Sequence, residues 1–456
     1  MNSQQRLALV VAILASFVAF LDGSVVNVAL PAISRELGGG LSTQQWVVDG
    51  YLITLGALIL LAGSLSDVFG RIPVMRIGLW GFGIASLLCA VAPVPEFLIA
   101  ARVFQGVAGA LLVPSSLALI MSMFSGGSEG HAIGSWTAWT SAAFIAGPIV
   151  GGAFVDLLSW RLVFAINVIP IALTLVLMQK LKATGERVEN AKVDYFGGAL
   201  TIVGIGGPVF ALIEQATFGW SSPLIFGSLI VGLIALALFL IRQARSLQPM
   251  MPLALFTVRN FSYGNLATLF IYAALGMSGF VLVVFLQQEA AWPATLAGMA
   301  ALPVTIILML LSTVFGKLSG RFGPRLFMTI GPIIAGLGHL MMLMVTEQVD
   351  YWWQLLPGIL MFGLGLSITV APLTSAVLGD VKKTQSGIAS AVNNAVARIA
   401  GLVAVAFLGI ITATGLDLAG LHRSLIVCAG LLFLGGIVSF AGIRNPRHHQ
   451  ANLVAH

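Results

Sequence analysis

Fourteen times in 456 residues the chain runs through 18 or more predominantly apolar residues before a polar or Gly/Pro break. A bilayer core about 30 Å thick takes about 20 such residues as one helix. In lipid, only a structure that satisfies its own backbone hydrogen bonds can span. The pattern therefore predicts an all-α membrane protein with spans at 7–33, 44–66, 74–93, 96–123, 133–156, 162–180, 195–215, 223–244, 260–289, 294–317, 326–346, 353–378, 386–413 and 423–443. Charged residues make up 8% of the chain, against roughly 25% in soluble domains. The Gly and Pro residues within these blocks are tolerated in membrane helices. The opening apolar run meets no small-residue cleavage site and is read as an uncleaved first span.

The basic residues orient the spans. With the N-terminus in the cytoplasm, 17 of the 22 Lys and Arg fall in cytoplasmic segments: Arg6, Arg71, Arg76, Lys180, Lys182, Arg187, Lys192, Arg242, Arg245, Arg259, Lys317, Arg321, Arg325, Lys382, Lys383, Arg444 and Arg447. Arg35, Arg161 and Arg423 fall outside, and Arg102 and Arg398 lie within spans. A missed or extra helix would invert every later loop and erase this bias. The expectation is fourteen spans with both termini cytoplasmic. The modest net charge of +6 is scattered between apolar blocks, which gives no nucleic-acid-binding face. Cys89 and Cys428 sit in apolar runs, so neither a disulfide framework nor a metal site is expected, and no cofactor is implied.

The chain also repeats itself. Gly63, Leu65, Ser66, Phe69 and Gly70 reappear as Gly316, Leu318, Ser319, Phe322 and Gly323, offset by 253 residues. Pro114 and Pro372 occupy like places in the fourth and twelfth spans. Parallel repeats of this kind mark transporters made of two six-helix bundles. The predicted organisation is a first bundle at 1–182, a cytoplasmic connector with an inserted helix pair at 183–250, and a second bundle at 251–456.

Several segments together resemble the major facilitator superfamily, in its fourteen-span drug:proton antiporter branch. Gly63 to Arg71 is similar to the family's motif between the second and third helices, and Leu21 to Pro31 resembles the first-helix signature, with Ser24 where Thr is usual. Arg102-Val103-Phe104-Gln105-Gly106 is similar to the fourth-helix motif. Gly147-Pro148-Ile149-Val150-Gly151-Gly152 is similar to the fifth-helix motif of antiporters, and Trp160-Arg161 with Ile166-Asn167 and Pro170 also fits. Ala143, Ile72-Pro73 and Gly320 depart from the pattern. The resemblance implies that Gly63, Asp67, Gly70 and Arg71 form a cytoplasmic gate, that Gly147, Pro148, Gly151 and Gly152 form an antiporter-type helix bend, and that Arg102 takes part in proton coupling.

An ionisable residue inside a span is costly and marks function by default. Asp22 lies about 22 Å along the first span and has no local basic neighbour; it reads as a protonation site, as a counter-charge for a cationic substrate, or as a structural carboxyl at a helix contact. Asp49, near the outer end of the second span, is a second proton candidate or an interfacial anchor. Arg102, about 9 Å into its span, shares a helix face with Gln105, Gly106 and Gly109. It must find a carboxylate, for which Asp22 and Asp49 are the candidates. Arg398, about 18 Å along the thirteenth span, shares a face with Ser390 and Asn394. It stands either on the cavity wall or in a structural network. Asn27, Gln105, Asn394, Arg398 and Glu289 are the expected substrate-cavity residues. Glu214 reads as a surface group and His339 as a packing residue.

The expected function is proton-coupled export of bulky hydrophobic or weakly cationic small molecules by a monomeric carrier in a bacterial inner membrane. An uptake symporter on the same fold is the alternative, disfavoured by resemblance at the fifth-helix motif. A membrane enzyme or sensor is a remote third reading, because the loops carry no catalytic or phosphate-binding constellation.

Overall fold

The computed structural model describes residues 1–124, 127–181, 193–382, 385–412 and 415–445. The expected connector residues Lys182, Arg187 and Lys192, with Lys383 and Arg447, lie outside the described residues. Among the described residues, thirteen helices are long and apolar enough to cross a membrane. They are α1 Ser3–Leu37, α2 Gly40–Phe69, α3 Arg71–Ala90, α4 Pro95–Met123, α5 Gly127–Leu157, α7 Tyr195–Phe218, α8 Pro223–Arg245, α9 Arg259–Gln288, α10 Ala294–Phe322, α11 Pro324–Met344, α12 Tyr351–Gly379, α13 Ser386–Thr412 and α14 Leu418–Gly442. A shorter apolar helical segment, α6 (Leu162–Met178), joins them. The chain is a multi-pass membrane protein.

Most helices start earlier or end later than their apolar cores, because caps and polar turns extend them. Asn2 closes the start of α1 with a capping box, accepting from Gln5 N while the Gln5 side chain accepts from Asn2 N; this satisfies otherwise orphaned donors. The predicted repeat has a backbone counterpart. Gly70 (φ +93°) and Gly323 (φ +86°) each end one helix and begin the next, a left-handed conformation open to glycine at little cost.

Side-chain bonds align the helix ends. The Gln5 side chain donates to Met123 O (2.9 Å) and that of Gln4 to Lys180 O (3.3 Å). Arg259 Nε donates to Gly442 O (2.8 Å), and Gln287 Nε2 donates to Val28 O (3.0 Å). Both ends of the described chain therefore lie on one face, termed here the terminal face, and Val28 and Gln287 approach the far face.

Lipid tails are as apolar as the side chains, so helices associate largely through close packing of small residues. In α11 and α12 the packing reaches backbone contact: a Cβ on Gly338 would sit 2.6 Å from Gly358 O. Helices α7 and α8 pair at Gly207, Pro208 and Gly232, and α7 lies against α2 and α13, one from each half of the chain. An apolar cavity of about 330 Å³ remains between this pair and α2 and α13, lined among others by Ala57, Ile205, Leu236, Val396 and Ile399.

Candidate functional site

Four helices place polar side chains at one buried point in the first half. Arg102 (α4) and Asp22 (α1) form an ion pair at 2.6 Å, with Arg102 1% and Asp22 0% exposed. Arg102 Nη1 also donates to Gln105 Oε1 (2.6 Å), and its Nε donates to Val47 O of α2 (2.9 Å). Gln105 Nε2 and Asn167 Nδ2 each donate to Asp22 Oδ1 at 2.9 Å. Ser86 Oγ of α3 accepts from both amides, at 3.0 and 3.4 Å. The guanidinium carbon lies 4.3 Å from the centre of the Tyr51 ring and 5.7 Å from that of Phe164. Such a pair withstands burial only when hydrogen bonds support both partners; here both Asp22 oxygens accept, and Arg102 donates through Nε and Nη1.

Helix spacing explains the assembly. Arg102, Gln105, Gly106 and Gly109 occupy one face of α4, and that face meets α2. A Cβ on Gly106 would overlap Tyr51 O, and one on Gly109 would lie 3.2 Å from the Tyr51 hydroxyl. The glycines let α4 approach closely enough for Arg102 to reach past α2 to Asp22. Asp22 has no basic neighbour along its own helix; of the two carboxylates open to Arg102 from the sequence, Asp22 is the one it meets. Asn167 and Ser86 have no role in the sequence reading, because a neutral polar residue in an apolar helix leaves no further trace.

Asp49 is placed differently from the interfacial position expected of it. It is 0% exposed, and neither carboxylate oxygen has a hydrogen-bond partner. It shares a face of α2 with Gln45 and Ile53, one turn to either side. Gln45 Nε2 donates to Val405 O (2.7 Å) and Ile53 packs with Leu402 and Ala406, all of α13. Asp49 thus lies on the seam between the two halves, apart from the Asp22 cluster.

A central cavity of about 130 Å³ lies between the halves. Phe20, Asn27, Tyr51, Phe144, Phe280, Arg102 and Arg398 contribute to its wall. Among the expected cavity residues, Asn27 and Arg398 line it. Gln105 does not; it is turned into the Asp22 cluster. Asn394 is also absent from the wall, and its neighbour Asn393 bonds to Asn265 (3.1 Å) and Thr268 (2.8 Å) of α9. Glu289 is exposed at the end of α9, away from the cavity. Glu214 is more than a surface group: it accepts from Trp46 Nε1 (2.7 Å) and Ser42 Oγ (3.1 Å), tying α7 to α2. His339 is fully buried, with Ser278 Oγ 2.9 Å from its Nε2 and the Phe362 ring 4.5 Å away.

Hydrogen bonds between described residues of the two halves gather toward the far face. They join Gln45 to Val405, Gln287 to Val28, and Asp156 to Ala294 N (2.8 Å) and Thr295 N (2.9 Å) at the start of α10. Beside them, Gly147 and Gly151 abut Ser24 and Val25 of α1. Gly152 abuts Thr295, and Pro148 abuts Gly298. At the terminal face Gly63 has open space where a Cβ would stand, and Gly70 is buried in the turn. Ser66 bonds Ser115 (2.7 Å), and neither Asp67 nor Arg71 is in an ion pair among the described residues.

A multi-pass helical chain whose two halves enclose a cavity and bond to each other toward one face has an arrangement suited to a membrane transporter. The family model described as Major Facilitator Superfamily matches residues 12–405 and, in a second match, 265–454. The chain belongs to the major facilitator superfamily. It is 32% identical over 439 residues to the methylenomycin A resistance protein of Streptomyces coelicolor (strain ATCC BAA-471 / A3(2) / M145), covering 95% of this chain and 91% of that protein. It is 30% identical over 407 residues to the tetracenomycin C resistance and export protein of Streptomyces glaucescens, covering 86% and 73%. A crystal structure of a D-xylose-proton symporter shares the fold, with TM-score 0.70 at 14% identity over 97% of this chain and 99% of that one.

Proposed function

We propose that the chain is a proton-coupled exporter of bulky hydrophobic small molecules that works as a monomer by alternating access. The observation that carries this reading is the buried Asp22–Arg102–Gln105–Asn167 cluster beside a cavity between two bundles. Resistance and export relatives of similar length support the direction of transport. The bundles are taken as 1–182 and 251–456 with 183–250 between them. The chain makes fourteen crossings, with α6 as the shortest, and the terminal face is cytoplasmic in accord with its Lys and Arg.

In this reading the structure is the inward-facing state. The bundles meet at the far face, and Asp67 and Arg71 of the gate segment are released. Asp49 takes up the proton, because no partner here balances a negative charge on it. Its place on the α2–α13 seam makes its charge sensitive to whether the bundles are together or apart. Arg102 carries the change to the cluster, since it is bound both to Val47, two residues from Asp49, and to Asp22. The glycines and Pro148 of α5 seat that helix against α1 and α10 and close the far face against proton leak.

The test is transport by purified protein in proteoliposomes under an imposed pH gradient, with substrates drawn from a susceptibility panel in an efflux-deficient bacterial host. Export should follow the gradient and stop when an ionophore collapses it. A rate indifferent to the gradient would sink the coupling, and inward accumulation would favour the symporter reading.

A further inference from the structure

The charge on the cavity wall bears on what the carrier selects. Of the two arginines there, Arg102 is neutralised by Asp22. Arg398 has no ion pair or hydrogen bond among the described residues, and its guanidinium carbon lies 5.7 Å from the centre of the Phe20 ring. No Asp or Glu lines the cavity. Asp49 is within no ion pair among the described residues, and the Asp22 carboxylate already accepts three hydrogen bonds, from Arg102, Gln105 and Asn167. An always-charged group, half-buried on α13, therefore stands at the wall of a cavity lined by rings and a few polar groups with no acidic side chain to compensate it, and a charge at this depth of a membrane helix is costly unless something pairs with it.

The rest of the wall says what that partner is attached to. Phe20 and Phe144 meet edge to face with centroids 5.6 Å apart, and Phe280 and Tyr51 add further ring surface. Asn27 offers an amide on the opposing helix α1. Aromatic walls take a flat apolar body, while a planar guanidinium pairs with a carboxylate-type group through two parallel N–H···O bonds. We infer that the cavity selects amphipathic organic anions, meaning aromatic or apolar bodies that carry one acidic group, with Arg398 as the specificity-determining residue. A lipophilic cation would meet like charge and no carboxylate. This rests on the carrier reading above and narrows its substrate class, replacing the weakly cationic class expected from sequence.

Equilibrium binding to purified protein in nanodiscs, read by fluorescence anisotropy at pH 8, tests the inference without requiring transport. The probes share one xanthene ring system: fluorescein, which at pH 8 carries a carboxylate and a ring phenolate; fluorescein methyl ester, which keeps the phenolate and masks the carboxylate; and rhodamine 6G, a cation whose carboxyl is likewise esterified. Fluorescein should bind at least about tenfold more tightly than rhodamine 6G, and the ester should lose about tenfold against fluorescein. Arg398→Gln should weaken fluorescein about ten- to a hundredfold and leave rhodamine 6G unchanged or improved. Arg398→Lys keeps the charge without the planar fork and should give a fluorescein affinity between those of the native protein and Arg398→Gln. Equal or tighter binding of rhodamine 6G by the native protein overturns the inference, as does an absence of fluorescein binding. A parallel loss of all probes in Arg398→Gln, with Arg398→Lys no better, would make the residue structural and overturn it too. If Arg398→Gln fails to fold, the native protein's preference for fluorescein over its ester decides. Fluorescein binding without outward flux in proteoliposomes would defeat the exporter reading and leave this site standing.

Discussion

The two bundles share a repeat and a backbone turn, yet their interiors differ. In the first, α1, α3, α4 and α6 converge on a buried ion pair with three amide or hydroxyl partners. In the second, the buried polar groups are neutral contacts such as His339–Ser278 and Asn393–Thr268, and Arg398 faces the cavity. One scaffold has thus been used twice, with charge held inside one copy and turned toward the cavity in the other. In the proposed reading, an exchange of protons and a choice of cargo would need different surroundings, and this separation would let each be tuned without disturbing the other.

The comparison breaks most sharply at Asp22. Asp22→Asn strands the Arg102 charge and should cost about 3–5 kcal/mol of stability together with all gradient-driven flux. Asp22→Asn combined with Arg102→Met should recover much of the unfolding temperature and none of the flux; recovery of both would reduce the pair to a strut. Asp49→Asn comes next. It removes a carboxylate that has no partner, so thermal unfolding should not worsen, while flux should cease to respond to the pH gradient. A gradient response of native size would take the proton role away from Asp49.

The matching change in the second bundle should be mild. His339→Leu forfeits the bond to Ser278, and interhelical bonds in membranes average about 0.6 kcal/mol; flux per folded molecule should stay within about twofold. A large loss of flux at unchanged stability would show that this bundle also relays protons.

How far these differences could be foreseen depends on the kind of residue. The helices were legible because lipid demands long apolar runs, and their ends moved by a few residues because caps such as Asn2 extend a helix beyond its apolar core. That Arg102 must meet a carboxylate was legible from the cost of burying its charge. That it meets Asp22 and leaves Asp49 alone depends on how α4 packs on α2, which spacing along one helix does not state. Gln105 shows the same limit: its face was readable, but whether that face met a cavity or another helix was not. Glu214 and Glu289 look alike at helix ends, and only the position of Trp46 beside one of them distinguishes a tether from an exposed group.

The smallest expected effect concerns the inserted pair. Burial pushes the Asp194 carboxyl up, but the Gly197 N–H, Arg242 and Gln243 more than offset this and hold it below its ordinary value. A lowered folded-state value stabilises above the unfolded value near 3.9 and is lost as pH falls through the folded one. The link between α7 and α8 should therefore persist at neutral pH and loosen only below about pH 4. Proteolysis or exchange at this end of the pair would detect it, and loosening already at pH 6 would contradict the assignment.

The Glu214 tether has a mechanical meaning. It fastens the inserted pair to α2 at the end where Trp46 and Ser42 stand, whereas among the described residues α7 meets α13 through apolar side chains such as Leu402 and Ala406. In the proposed alternating-access cycle, the Glu214 bonds would carry α7 and α8 with the first bundle and let their apolar contact with α13 slide. The rocking bodies would then be unequal, eight helices against six.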